Sequence, residues 1–294
     1  MAESTQSPTT TPLPTLVFLQ ALPTSSPMDK PIAPESAGKS SAKPPIFSLP
    51  KLLFEIRDLN HEGAAEFLTA VLTTKALATA VQSVLTLLYE TPNSPVTTVP
   101  TTRSVTLILR SMGGVAYTTG KEIDSDHKEI HFSLDYIHGI DPSRKDHEIM
   151  GVLTHEMVHC YQYDAYGTCP GGLIEGIADW VRLNSDLSPP HWKKEASGNW
   201  DAGYQHTGYF LEYLEQRFGK GTVRRINEKL RIQKYHEKAF WTEVVGRPVE
   251  QLWADYQESL KKEEEQAAED ECVIVEKGDA IATTTTEDAT PSDV

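Results

Sequence analysis

The residues of this chain that could do chemistry lie mostly in two short stretches, THEMVHCYQYD (154–164) and GGLIEGIADWVRL (171–183). In the first, His155 and His159 stand four apart, with Glu156 beside the first. On a helix that spacing puts both imidazoles on one face, one turn apart. A single tetrahedral Zn²⁺ can bridge two ring nitrogens so placed. Glu156, one step round the helix, would reach an activated water rather than the metal and take its proton as general base. This division of labour is why the chemistry needs His-Glu-x-x-His and not merely two histidines. A zinc site of this kind needs a third protein ligand.

The second stretch offers one. Gly171–Gly172 breaks the chain before a new helix. On that helix Ile174, Ile177, Ala178 and Val181 make a packed face, and Glu175, Asp179 and Arg182 share another. Carboxylates within an apolar helix are costly unless partnered. Glu175 is therefore assigned as the third metal ligand, and Asp179 as the acceptor of the free ring N–H of a ligand histidine. The reverse assignment, Asp179 on the metal and Glu175 in support, stays open. So does a solvated pair leaning on Arg182. A layout with a third histidine is excluded, because Gln162 and Ala165 stand where its Gly and His would be. Gln162 is read as capping the site. An oxyanion needs a further donor. Of Tyr204, His206 and Tyr209, Tyr204 is assigned to that catalytic role.

These residues need elements to hold them. A strand is expected over 45–59, a long helix over 63–90, and strands at 103–112, 114–120 and 128–137. In the last, Ile130, Phe132 and Leu134 alternate with polar residues. Helices are expected at 145–163, 171–185, 202–218, 221–232 and 248–265. Strands first and helices second argue for an α+β fold. The five tryptophans are read as packing. His127, His131, His138, His147, His191 and His236 receive no role.

Residues 1–45 hold nine prolines and no sustained apolar period, so they are expected to be disordered. Residues 263–294 carry −10 of the chain's net −15, which reads as a disordered acidic tail. The domain between, 46–262, is one ordinary domain in size and only mildly acidic. That balance speaks against a nucleic-acid partner. The apolar run at 76–89 is too short for a membrane span, so no membrane partner is expected. No signal peptide is evident at the N-terminus, which points to the cytoplasm rather than to secretion. Cys160, Cys169 and Cys272 form no disulfide framework. A Cys160–Cys169 bridge is conceivable, but free thiols are the reading.

The Glu-x-x-x-Asp helix resembles the gluzincin arrangement, in which Glu is the ligand. More widely, GVAYTTG, EIHFSLDYI, GVLTHEMVHCYQYD, GGLIEGIADWVRL, HW, WDAGYQHTGYFLEYLE and VEQLWADYQ occur here in the order of the plant basic secretory protein family. The resemblance spans about 46 to 260. It implies a zincin-like fold: a small, twisted, mainly antiparallel sheet packed on the metal-bearing helix, then a helical C-terminal part. By that analogy KEIHFS is the sheet edge over the cleft, where a peptide could add as a strand. The function implied is that of a zinc metalloendopeptidase, acting as a monomer on a peptide or protein substrate. The alternative is a non-catalytic zincin that binds peptides or glycans. The chain departs from the family name in being acidic, with pI near 5.1.

Overall fold

The computed structural model describes residues 46–283, with side chains to residue 270. The expectation of disorder over 1–45 lies outside the described residues.

Four strands form one sheet: β1 (Lys51–Ile56), β2 (Ser104–Arg110), β3 (Ala116–Gly120) and β4 (His127–Ser133), in the order β1-β2-β4-β3. β1–β2 and β2–β4 are parallel, and β3–β4 alone is antiparallel. The sheet is thus mixed, not mainly antiparallel as expected. The reason is in the connections. Between β1 and β2 run α1 (Glu62–Ala70) and α2 (Thr73–Tyr89), the helical crossover that a parallel pair requires. The short link from β3 to β4 permits a hairpin. The expected edge is also corrected: KEIHFS belongs to β4, which is paired on both sides, and β3 is the edge.

The expected single helix over 63–90 is broken. Val71 and Leu72 adopt extended backbone, and α1 meets α2 at 67°. Among the described residues no single helix is long and apolar enough to cross a membrane. α2 buries Leu77, Val81, Val84 and Leu88, its i, i+4 and i, i+3 stripe. At its end buried Tyr89 donates to the Tyr161 carbonyl and accepts from Asn227 Nδ2 at 3.1 Å. These two bonds fasten α2 to the chain after α4 (Lys145–His159) and to α7 (Thr222–Ile232). Before α4 comes a short helix, α3 (Leu134–Gly139), where an extended strand was expected.

Beyond α4 the chain turns through Ala165, Tyr166 and Gly167, all at positive φ (55°, 58° and 74°), and returns as α5 (Gly171–Leu183). α5 packs closely on α6 (Tyr204–Phe218). A Cβ on Gly176 would lie 2.3 Å from Thr207 Cγ2. Thr207 cannot yield easily: its hydroxyl donates to the Trp200 carbonyl at 2.8 Å and accepts from Gly203 N at 2.9 Å. α8 (Glu237–Val245) was not foreseen. α9 (Val249–Thr283) runs on across the expected end of the domain at 262 and is helical where the tail was expected to be disordered. The last eleven residues lie outside those described. Cys160 and Cys169 are free thiols.

Candidate functional site

The helix α4 presents two faces, as its spacing predicted. Ile149, Leu153 and Met157 are fully buried in the core. The opposite face, with Glu148, Val152, His155 and His159, forms the floor of a cleft of about 840 Å³. β3 makes one wall and α5 with the start of α6 makes the other.

His155, His159 and Glu175 come together on that floor. Their nearest ligand atoms all lie within 4.8 Å of one another. His155 Nε2 is 3.2 Å from His159 Nε2 and 3.0 Å from Glu175 Oε2, and His159 Nε2 is 3.8 Å from the same oxygen. Two ring nitrogens and a carboxylate converging on one point are a donor set that could hold a metal ion. Asp179 is not in that convergence. Its Oδ1 lies 2.6 Å from His155 Nδ1, on the far side of the ring, and it is 3 % exposed. The alternative with Asp179 as ligand is therefore not what the geometry favours. Nor does Arg182 pair with either carboxylate.

Burial alone would push His155 down, but the bonds to Asp179 and Glu175 outweigh it and hold the imidazole up at about 9. His159 goes the other way, to about 4, through burial and the charge on His155. Burial raises Glu175, yet His155 and His159 bring its carboxyl below the ordinary value. The neighbouring side chains thus favour a proton on His155, between two carboxylates, and a neutral His159.

Glu156 points elsewhere from the same helix. It is 6 % exposed, and burial pushes its carboxyl up. Its Oε2 accepts from the Thr118 hydroxyl at 2.7 Å, and Thr118 Oγ1 also lies 3.0 Å from the Glu156 carbonyl. Thr118 was missed from sequence, because only the pairing of β3 with β4 shows where its side chain falls. The same pairing exposes backbone. Val115 O accepts from Ser133 N and His127 O from Lys121 N, both at 2.9 Å. Alternation along an antiparallel ladder then leaves the N–H and C=O of Ala116 and Thr118 pointing outward, at the cleft.

Tyr204 is placed at the mouth of the cleft. Gly203 (φ 88°) and Tyr204 (φ 48°) bring the chain into α6 through two left-handed residues. The tyrosine ring lies 6.2 Å from that of His155, nearly parallel to it, and is 57 % exposed. The Glu175 charge, aided by burial, raises its hydroxyl above the ordinary value. Neither His206 nor Tyr209 lines the cleft. Ile174, expected in the core, instead lines the cleft, as do His191 and Trp192. At that end Arg182 donates to Glu148 at 3.0 Å and to the Leu187 carbonyl at 2.9 Å. Its guanidinium lies over the Trp192 ring at 5.2 Å and against Gly151, where a Cβ would come within 2.6 Å. Gly151, Arg182 and Trp192 were each visible in sequence, but nothing there linked them.

The fold and the cluster define an α+β protein whose cleft carries a His-His-Glu group able to hold a metal ion. A family model described as BSP, peptidase of plants and bacteria, matches residues 49–256, and the chain belongs to that family. It is the basic secretory protein family that the ordered segments resemble. No curated protein and no solved structure gives a match.

Proposed function

We propose that this member of a peptidase family is a zinc-dependent endopeptidase of zincin type, with Glu156 as its general base. One observation carries the reading: His155 Nε2, His159 Nε2 and Glu175 Oε2 converge on the cleft floor while Glu156 sits beside them, held by a different partner. The donor set fits zinc. Asp179 engages the His155 Nδ1 on the far side of the ring and Gln162 lies behind the His159 Nδ1, so that both Nε2 atoms face the point of convergence. Bound there, zinc would polarise a water and lower its pKa toward neutrality.

The protein's own groups supply the rest. The Glu156 carboxylate accepts the proton of the attacking water and later gives it to the leaving amine. Desolvation suits it to this task, since a raised carboxyl is a stronger base once ionised. Thr118 ties down Oε2, so that Oε1 is the oxygen left for the water. Asp179 accepts the Nδ1–H of His155 and keeps that ring in register. The outward backbone groups of Ala116 and Thr118 would pair with a peptide or protein substrate laid along β3 as an added strand. Loose sequence selectivity follows, because the main chain supplies those bonds. The Tyr204 hydroxyl is the donor proposed for the oxyanion.

Elemental mass spectrometry and a peptide-library assay on the same preparations test this. The wild-type chain should hold about one zinc, by the stoichiometry of a three-ligand site. Glu175→Ala should lose it. Glu156→Gln should keep the metal and lose cleavage by about 10²-fold or more. Cleavage retained in Glu156→Gln would sink the general-base role. Zinc bound without cleavage of any library peptide would favour the non-catalytic binding protein.

A further inference from the structure

His159, unlike His155, has no carboxylate behind it. The amide nitrogen of Gln162 lies 3.0 Å from His159 Nδ1. The other end of that amide, Oε1, is buried and has no partner. An imidazole that offers its Nε2 lone pair to a cation carries its proton on Nδ1. With Nδ1–H facing an NH₂ group, two donors would meet head to head while a buried acceptor stands unused. A half-turn about the last side-chain bond exchanges the two nearly isosteric ends of the amide. That turn cures both faults at once, because Nδ1–H then donates to Oε1.

We infer that Gln162 is the positioning residue for His159: its side-chain carbonyl accepts the Nδ1–H and holds the tautomer that leaves Nε2 free for a metal ion. This role rests on the metal-site reading given above. Gln162 is well held for it. Its backbone N–H donates to the Val158 carbonyl at 2.8 Å, so the residue continues the last turn of α4 although the helix proper has ended. The two imidazoles are then oriented by unlike groups, a carboxylate for His155 and a neutral amide for His159. Asp179 adds a negative charge to the cluster and Gln162 adds none.

Two measurements on the full chain test the role. Long-range ¹H–¹⁵N NMR of the metal-free wild type reads the tautomer directly, and the proton of His159 is expected on Nδ1. A proton found on Nε2 would overturn the inference. Competition against a chromogenic chelator then compares zinc affinity of wild type, Gln162→Met and Gln162→Glu, with circular dichroism as a check on folding. The methionine variant keeps the length and loses the acceptor, and should bind about 10- to 100-fold more weakly. The glutamate variant keeps an acceptor and should bind as tightly as wild type or tighter. Equal affinity in the methionine variant and the wild type would overturn this role alone. Failure of the wild type itself to bind zinc would overturn the metal-site reading, and the role with it.

Discussion

The two walls of the cleft are built on opposite plans. The lower wall, α5 against α6, is packed so closely that Gly176 has no room for a methyl group, and its charged residue Asp179 is buried with a partner. The upper wall is a single edge strand. β3 is paired on one side only, and its Tyr117 is 43 % exposed. It reaches the floor by one hydroxyl, that of Thr118. The lower wall contributes Glu175 to the His-His-Glu cluster and, in Asp179, the partner of His155. The upper wall contributes the hydroxyl that binds Glu156 and the open backbone. For the proposed peptidase, the closely packed wall would hold the ion and the unfinished one would admit varied peptides.

The contrast can be broken most forcefully from below. Gly176→Ala drives a Cβ to 2.3 Å from a methyl group that two hydrogen bonds hold in place. Overpacking of this kind costs about 3 kcal/mol, of which better helix propensity returns up to about 1. Calorimetry should show Tm lower by roughly 4–12 °C for a domain of this size, with zinc content reduced. An unchanged Tm would show that the lower wall is slacker than its geometry.

Asp179→Asn acts on the same wall more gently. Zinc affinity should fall about 10- to 100-fold, because a weaker acceptor then orients His155. The metal-free chain offers a separate reading. His155 is held at about 9 against an ordinary value of 6.5, through Asp179 and then Glu175 acting against burial. A raised histidine contributes stability that is fully present below about 6.5 and is lost as pH rises through about 9. Thermal melts of metal-free wild type should therefore decline over that window, and Asp179→Asn should flatten the decline. Parallel curves for the two proteins would remove Asp179 as the cause.

Thr118→Val tests the upper wall and should be the mildest in its effect on the fold and on metal binding. The fold and the zinc content should stay as they are. Loss of one hydrogen bond to a charged group is worth about 1.5–3 kcal/mol, which would lower kcat by roughly 10- to 150-fold. Loss of metal in this variant would erase the division between the walls.

The same division explains what could be read from the sequence. His155, His159, Glu175 and Asp179 lie on two helices joined by a short loop, and helical spacing alone sets which face each occupies. Those placements follow from periodicity. Ile174 escaped because it lies beside the packed stripe of α5 but on the flank that borders the cleft. Thr118 escaped because a strand's partner depends on pairing between distant segments, which periodicity does not encode. The edge was misplaced for a related reason. The alternation of KEIHFS reads as one exposed face, whereas β4 is central and buries Ile130, His131, Phe132 and Ser133 in succession; GVAYTTG carries little apolar signal although β3 alternates in burial. The parallel pairing of β1 with β2 was implied by the long helical link between them, yet the order of elements alone did not reveal it. The arginine that spans Gly151 and Trp192 joins positions far apart in sequence, and only packing shows the connection.

The short turn between α4 and α5 bears on how the molecule assembles. The bond from His155 to Glu175 closes a loop of only 20 residues, whereas Thr118 must be brought to Glu156 across 38, and only after the sheet has formed. Loop closure is cheaper for the nearer pair, and non-local strand pairing is the slower event. In a refolding full-length chain the contact of His155 with Glu175 therefore closes at lower entropic cost than that of Thr118 with Glu156. In the proposed peptidase, the metal site would thus assemble before its general base is braced.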